Sequence, residues 1–150
     1  MHQEADDGFE PGIFADTKED RRALLHIHLV NRRGSPAHGR ATVTSCTQIR
    51  EPVDLAFAMV PQAAIPAALA DAAAAGIRNV LVLSSGFADA GAAGQRAQEE
   101  LVALAESLGM LVLGPNHLGF ANLTEGVPVC SIPGLPREPG PVALVAPAKS

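Results

Sequence analysis

The chain has no tryptophan and no tyrosine, and aromatic residues make up only 3% of its 150 residues. Because large rings are so scarce, the core has to be built from aliphatic side chains, with Phe57, Phe87 and Phe120 as its few large members. Apolar residues nevertheless amount to 47% of the chain, which excludes disorder by composition and is enough to bury a core.

Cysteines, basic residues and long apolar runs are scarce as well. Cys46 and Cys130 lie far apart without a Cys-x-x-Cys pattern, which indicates neither a disulfide framework nor a zinc site and fits a reducing cytosol. A net charge of −5 argues against non-specific binding of nucleic acid. No apolar run reaches the length of a membrane span, and the acidic N-terminus lacks a signal-peptide pattern. We therefore expect a cytoplasmic protein that contacts neither nucleic acid nor membrane.

Short apolar runs alternate with longer helical segments from residue 26 onward. The runs without alternation predict buried strands, and the alanine-rich and leucine-striped segments predict helices that end at Gly76 and Gly109. A strand–helix–strand order with short connections is typical of an α/β, doubly wound sheet that is covered on both faces. We predict strands at 26–30, 53–60, 79–83 and 110–113. We predict helices at 63–75 and 92–108, and the regular part of the first helix should start near Ile65.

The composition divides the chain into three regions. Residues 1–25 are polar and acidic, and we expect an irregular N-terminal segment there. Residues 26–122 carry the α/β pattern. Residues 123–150 predict a Pro/Gly-rich linker and the truncated start of a second domain, with a strand beginning at 141–145.

Each predicted strand ends in residues that can present backbone N–H groups or small polar side chains. In an open parallel sheet, ligands bind just beyond the carboxyl ends of the strands. Any one of these loops, taken alone, is better interpreted as an ordinary turn. The four loops taken together are better interpreted as a binding site for a nucleotide-type ligand. Arg32 and Arg33 could pair with a phosphate, or they could be solvated surface charges.

The histidines and serines give weaker indications. His117 could act as a ligand or a base, although a hydrogen-bonded turn residue is the commoner role at such a position. His26 and His28 share a strand face but have no Cys, Asp or Glu neighbour in the sequence, so no metal site is predicted. The segment 84–86 lacks the Gly-x-Ser-x-Gly pattern of a serine hydrolase.

Four segments, taken in order, resemble the N-terminal CoA-binding domain of NDP-forming acyl-CoA synthetases. This is the group of ADP-forming acetate–CoA ligases, related to the α subunit of succinyl-CoA synthetase. Together the four segments are a specific indication of this family, whereas each alone would be a weak one. They are E-P-V-D-L-A-F-A-M-V-P (51–61), V-L-V-L-S-S-G-F-A-D-A-G (80–91), L-G-P-N-H-L-G-F-A-N (113–122) and G-P-V-A-L-V (140–145).

The resemblance implies a Rossmann-like, three-layer αβα domain that binds CoA. Residues 29–34 match the family's loop at the adenosine and 3′-phosphate end of CoA, and 59–61 and 84–87 match loops along pantetheine. Residues 114–117 match the turn near the thioester, with His117 where the family usually has Cys. The CoA-binding residues implied in this way are Asn31, Arg32, Arg33, Val60, Pro61, Ser84, Ser85, Gly86, Pro115, Asn116 and His117.

Two departures from the family pattern bear on function. The family's first strand and glycine-rich phosphate turn have no counterpart in residues 1–25, and none of the five histidines matches the family's phosphorylated catalytic histidine. We therefore predict no catalytic residue in this chain, with ATP and Mg bound only by the complete enzyme. The alternative is a non-catalytic remnant, or an interaction or CoA-sensing module with the same fold.

The resemblance also implies the partners. They are CoA or acyl-CoA and the remaining synthetase domains or subunit. A second copy of the chain could cover a sheet edge left exposed by the missing strand.

Overall fold

A three-stranded parallel sheet forms the centre of the computed structural model, which describes residues 26–136 and 138–143. Its strands are β1 (Ala56–Ala58), β2 (Asn79–Val82) and β3 (Leu111–Leu113), in the spatial order β1-β2-β3. The predicted irregular segment 1–25, with the missing first strand and glycine-rich turn, lies outside the described residues. All three strands point the same way, so their carboxyl ends meet at one edge.

Two helices connect the strands as the sequence predicts. Helix α1 spans Ile65–Ala74, with proline in its first turn where a missing N–H costs no helical hydrogen bond. Helix α2 spans Ala92–Ser107. Gly76 and Gly109 follow the two helices with φ angles of 84° and 62°, in the left-handed region that favours glycine. The α/β, Rossmann-like parallel sheet with flanking helices is thereby confirmed.

The core lies between the sheet and these helices. Most of its members are aliphatic, as the scarcity of aromatic residues requires, and each large side chain stabilises the fold by roughly 2 kcal/mol through burial. Phe87 is the one fully buried phenylalanine among the described residues, whereas Phe120, expected in the core, is 40% exposed because it lies outside the central sheet. The core includes Ile65, Leu69, Val80, Val82, Leu101 and Ala105.

The predicted strand at 26–30 does not form. Only Val30 pairs, in an isolated parallel bridge to Val43, because no segment among residues 26–136 and 138–143 continues a ladder along 26–29. The strands predicted at 53–60 and 110–113 are shorter in the structure, since the ladder of β2 extends over few residues on either side.

A separate antiparallel hairpin follows the sheet. It pairs β4 (Gly119–Asn122) with β5 (Val127–Cys130), so residues 127–130 form a strand where the sequence predicts part of a linker. The hairpin requires glycine at its start, since a Cβ on Gly119 would lie 2.1 Å from the Val129 carbonyl oxygen. The predicted boundary between the α/β region 26–122 and the region 123–150 stays a prediction. The strand predicted at 141–145 is not present at 141–143, and its remaining residues lie outside the described ones.

Candidate functional site

The loops that follow β1 and β2 are hydrogen-bonded to each other. The Ser84 hydroxyl donates to the Val60 carbonyl oxygen, and Gln62 Nε2 donates to the Gly86 carbonyl oxygen at 2.9 Å. Gly86 has a φ of 94°, and a Cβ there would lie in ordinary contact with the Gln62 side chain, at 3.7 Å. The ends of β1 and β2 therefore form a single surface rather than two independent turns.

The loop that follows β3 is held against β2 through its backbone. The Asn116 N–H donates to the Ser84 carbonyl oxygen at 3.0 Å, and the His117 N–H donates to the Val82 carbonyl oxygen at 3.2 Å. Gly114 has a φ of 116°, and a Cβ added there would lie 2.5 Å from the Val82 oxygen. Only glycine lets the chain pass this close to β2. Three of the four predicted loops thus meet at the carboxyl edge of the sheet.

His117 takes the role of a turn residue in this loop. Its Nδ1 accepts a hydrogen bond from the Gly119 N–H at 3.0 Å, and the residue is half-buried. Accepting at Nδ1 leaves the proton of the neutral ring on Nε2. Asn116 precedes it with a φ of 55°, a conformation that Asn adopts more readily than most residues.

An aspartate that the sequence analysis did not select closes the loop after β2. Asp89 Oδ1 accepts from the Phe87 N–H at 2.9 Å, and Asp89 Oδ2 accepts from the Gly86 N–H at 3.3 Å. Ser85 lies between these contacts and Ser84, and its side chain is exposed. The Gly-Phe-Ala-Asp spacing was a usable signal, since Asp side chains commonly bond backbone N–H groups nearby in the chain.

The fourth predicted loop, at 31–34, is built around the Asn31 side chain. Asn31 Oδ1 accepts from the Arg33 N–H at 3.0 Å, and Asn31 Nδ2 donates to the Ser35 carbonyl oxygen at 3.1 Å. Arg32 and Arg33 are exposed at its tip. Within the described ranges, no hydrogen bond joins this loop directly to the other three.

Asp71 on α1 anchors the segment that follows the 31–34 loop. Its carboxylate accepts from the Ser45 hydroxyl at 2.6 Å and from the Cys46 N–H at 2.8 Å. Desolvation raises the pKa of the Asp71 carboxyl, but these hydrogen bonds and the positive charge of Arg32 outweigh it, so the pKa lies below its ordinary value. Burial and the neighbouring Asp71 together raise the pKa of the Cys46 thiol from 9.0 to about 11.

Glu51 holds the segment that precedes the 31–34 loop. Its Oε1 lies 2.7 Å from His28 Nε2, and its Oε2 lies 3.4 Å from His26 Nδ1. The hydrogen bond with His26, supported by the one with His28, keeps the pKa of the Glu51 carboxyl below its ordinary value against the opposing effect of desolvation. The sequence analysis found no carboxylate beside the two histidines because Glu51 is far away along the chain.

The predicted site residues therefore fall into two groups. Val60, Pro61, Ser84, Ser85 and Gly86 meet the turn at 115–117 at the edge of the sheet, whereas the residues at 31–33 form a separate turn. The contacts of Gln62, Asp71 and Glu51 were missed, since each joins residues more than twenty positions apart and leaves no local pattern. No helix in the described ranges is long and apolar enough to cross a bilayer.

Comparison with known proteins places this region of the chain among CoA-binding domains. The family described as CoA binding domain matches residues 16–122. The alpha subunit of acetate–CoA ligase (ADP-forming) II from Pyrococcus furiosus is 31% identical over 115 residues, which cover 77% of this chain and 24% of that subunit. Acetate–CoA ligase (ADP-forming) I from Archaeoglobus fulgidus is 34% identical over 96 residues, which cover 64% of this chain and 14% of that protein. The chain spans a quarter or less of the length of these relatives.

Solved structures give the same picture. The dinucleotide-forming acetyl-coenzyme A synthetase 1 of Ca. Korarchaeum cryptofilum, in complex with phosphate and ADP, superposes with a TM-score of 0.63 and 29% identity, covering 69% of this chain and 22% of that one. A crystal structure of a Pyrococcus horikoshii protein superposes with a TM-score of 0.64 and 29% identity, covering 69% of this chain and 24% of that one. Both carry the same fold as the sheet and helices described above.

Proposed function

The chain belongs to the CoA binding domain family, as its motifs predict, and we propose that it binds CoA or acyl-CoA as part of an ADP-forming acyl-CoA synthetase. The observation that supports this most directly is the joining of three loops at the carboxyl edge of the sheet, where open α/β sheets bind ligands. Glycines at two of these loops, Gly86 and Gly114, have positive φ angles and let the loops pack closely against their neighbours.

Each group of site residues takes one part of CoA in this proposal. Val60 and Pro61, with the segment 84–86, line the path of pantetheine. The turn at 115–117 (Pro115, Asn116 and His117) lies near the thioester. Asn31 shapes the turn from which Arg32 and Arg33 reach the 3′-phosphate, since a guanidinium is always charged and presents a paired set of donors.

The complete reaction belongs to a larger assembly. In this proposal, an acid, CoA and ATP give acyl-CoA, ADP and phosphate through a phosphohistidine, and the further domains or subunit supply that histidine and the site for ATP and Mg. The chain itself contributes the CoA site in the cytoplasm. We further propose that a second copy of the chain covers the sheet edge that the missing first strand leaves exposed.

Titration calorimetry with CoA tests the binding proposal on the full chain. Saturable heat with one CoA per chain is the expected result. A matched surface variant, Glu100→Gln on α2, is expected to give the same affinity, because Glu100 is exposed and distant in sequence from every proposed contact. Heat at the level of dilution, from protein whose circular dichroism is that of a folded α/β domain, would overturn the proposal and favour the non-catalytic remnant.

A further inference from the structure

Both α-helices lie on one face of the central sheet. The strand order β1-β2-β3 follows the chain, and crossovers of one handedness that advance in the same direction place their helices on the same side. The buried cluster agrees, because Leu69 of α1 and Leu101 of α2 belong to it together with Val82 of β2. Successive residues of a strand point to opposite faces, so the residue before Val82 points away from both helices.

The second face of the sheet carries a row of apolar side chains. The register pairs Phe57 with Leu81 and Leu81 with Leu113, so these three residues lie side by side across the sheet. Leu81 is fully buried, yet it lies outside the cluster beneath the helices. Leu113 is 38% exposed, and Leu111, two residues earlier on the same face, is 72% exposed. The sequence predicts a sheet covered on both faces, and within 26–136 and 138–143 neither α-helix covers this one.

The chain that precedes residue 26 is long enough to reach this face. Residue 28 is held close to the start of β1, since His28 Nε2 lies 2.7 Å from Oε1 of Glu51, which shortly precedes that strand. The outer strands β1 and β3 are about 10 Å apart. Residues 16–25 span about 15 Å as a helix and about 33 Å when extended. They can therefore lie across the apolar row and continue without a break into residue 26.

The composition of residues 16–25 suits such a position. The charged run at 18–22 is followed by Ala23, Leu24 and Leu25, which are apolar and stand next to the described chain. The match to the CoA binding domain family begins at residue 16, so it includes these residues and none before them. Apolar side chains that belong to the domain gain free energy by packing on it. The open apolar row is a surface on which they can do so.

We propose that residues 16–25 cover the second face of the sheet, with Leu24 and Leu25 packed against the apolar row. This inference goes beyond the proposed function, because it concerns no contact of CoA and can be measured without it. The sheet edge left by the missing first strand is a separate surface. A cover of this kind also restrains the segment 26–30, which leads into the turn with Arg32 and Arg33.

NMR of the full chain with labelled leucine methyl groups tests the contact directly. Nuclear Overhauser effects are expected between the methyl groups of Leu24 or Leu25 and those of Leu81, Leu111 or Leu113. Leu24→Ala and Leu25→Ala each remove one set of signals and so assign it. The absence of these effects from the folded, unmodified chain would overturn the proposal.

A mixed sample separates this contact from one between two copies of the chain. When labelled and differently labelled chains are combined, the effects are expected within each kind of chain and not between the two kinds. Effects found only between the two kinds would show that a second copy covers the face, and they would overturn the proposal.

Unfolding in urea measures whether the contact stabilises the fold. The paired change Leu24→Ala and Leu25→Ala should lower the urea midpoint, and so should Leu113→Ala. Their combination is expected to lower it by less than the sum of the two losses, because both remove the same contact. Val102→Ala is the matched control, since Val102 is 51% exposed on α2, on the other side of the sheet, and its loss should add to that of the paired change. Additive losses in both combinations would overturn the proposal.

Discussion

The Asn116 N–H donates to the Ser84 carbonyl oxygen at 3.0 Å, which fastens the loop after β3 to the loop after β2. Ser84 in turn bonds Val60 through its hydroxyl, so it contacts both neighbouring loops at once. Because these contacts join the carboxyl ends of neighbouring strands to one another, the edge of the sheet behaves as one preformed surface. Such a surface loses little conformational entropy when a ligand binds.

Because Gly114 passes close to β2, adding a single methyl group there should lower the free energy of unfolding substantially. Gly114→Ala combines a strained φ with a contact of 2.5 Å to the Val82 oxygen, and we expect the free energy of unfolding to fall by roughly 2–4 kcal/mol. Gly76→Ala is the matched control, because its φ is also positive but nothing lies within 4 Å of the added carbon. Its cost should be about 1 kcal/mol. If urea unfolding gave the same loss of unfolding free energy for both variants, the close contact with the Val82 oxygen would not contribute to the effect.

The Gln62 amide is predicted to work as a donor, and a carboxylate at that position cannot donate. Gln62→Glu should therefore lower the free energy of unfolding at pH 7 by roughly 1–3 kcal/mol, since the Gly86 carbonyl loses its partner and meets a negative charge. The protonated Glu can donate again, so its folded-state pKa would be raised. Stability relative to the unmodified chain should then recover as the pH falls toward the ordinary Glu value of about 4.3.

A matched control for this variant is Gln98→Glu. Gln98 accepts from the Ala88 N–H through Oε1, and a carboxylate keeps that acceptor. We expect its stability to change little across the same pH range. A similar loss in both variants would indicate a general effect of added negative charge instead of the loss of a donor.

The helices and their alternation with parallel strands along the chain could be predicted from the sequence, whereas the contacts of the site could not. Helix α1 begins at Ile65 and ends just before Gly76, as predicted, because helix propensity and helix-end signals depend on residues that are close together in the chain. A strand depends on its partner, which is why residues 26–29 form no strand ladder although their pattern alternates. The hydrogen bond from Gln62 to Gly86 depends on how two separate loops pack, and neither segment contains a sequence pattern that predicts it.

The Cys46 thiol is predicted to react slowly. Burial and the nearby Asp71 raise its pKa from 9.0 to about 11, which leaves roughly a hundredth of the thiolate that an ordinary thiol has at pH 8. Iodoacetamide labelling of the Cys130→Ser variant, followed by mass spectrometry, should give a rate that keeps rising up to about pH 11. Asp71→Asn should accelerate labelling at pH 8, and an unchanged rate in folded protein would contradict the assigned cause.

The same shift makes a prediction about alkaline stability. A raised pKa in the folded state means that the folded chain holds its thiol proton more tightly than the unfolded chain. The contribution of Cys46 is therefore complete below pH 9.0 and is lost as the pH rises toward about 11. Cys46→Ser should flatten this part of the pH profile of unfolding, and an unaltered profile would exclude the contribution.

The exposed arginines are predicted to distinguish CoA from dephospho-CoA. If Arg32 or Arg33 contacts the 3′-phosphate, Ala at that position should weaken CoA by roughly ten-fold and leave dephospho-CoA nearly unchanged. Arg96→Ala removes one positive charge from exposed α2 and should affect neither ligand. Equal losses for both ligands in calorimetry would place the arginines away from the 3′-phosphate.

Asp71 connects two regions that are separate in their hydrogen bonding. By holding Ser45 and Cys46 against α1, it ties the segment that follows the turn with Arg32 and Arg33 to the helix that begins just after β1, and so restrains the distance from that turn to the loops at the edge of the sheet. A long ligand that engages both regions binds its second end at an effective concentration set by this distance and not by the solution. Loosening the Asp71 contacts would therefore weaken a long ligand more than either of its halves, without removing any residue that touches it.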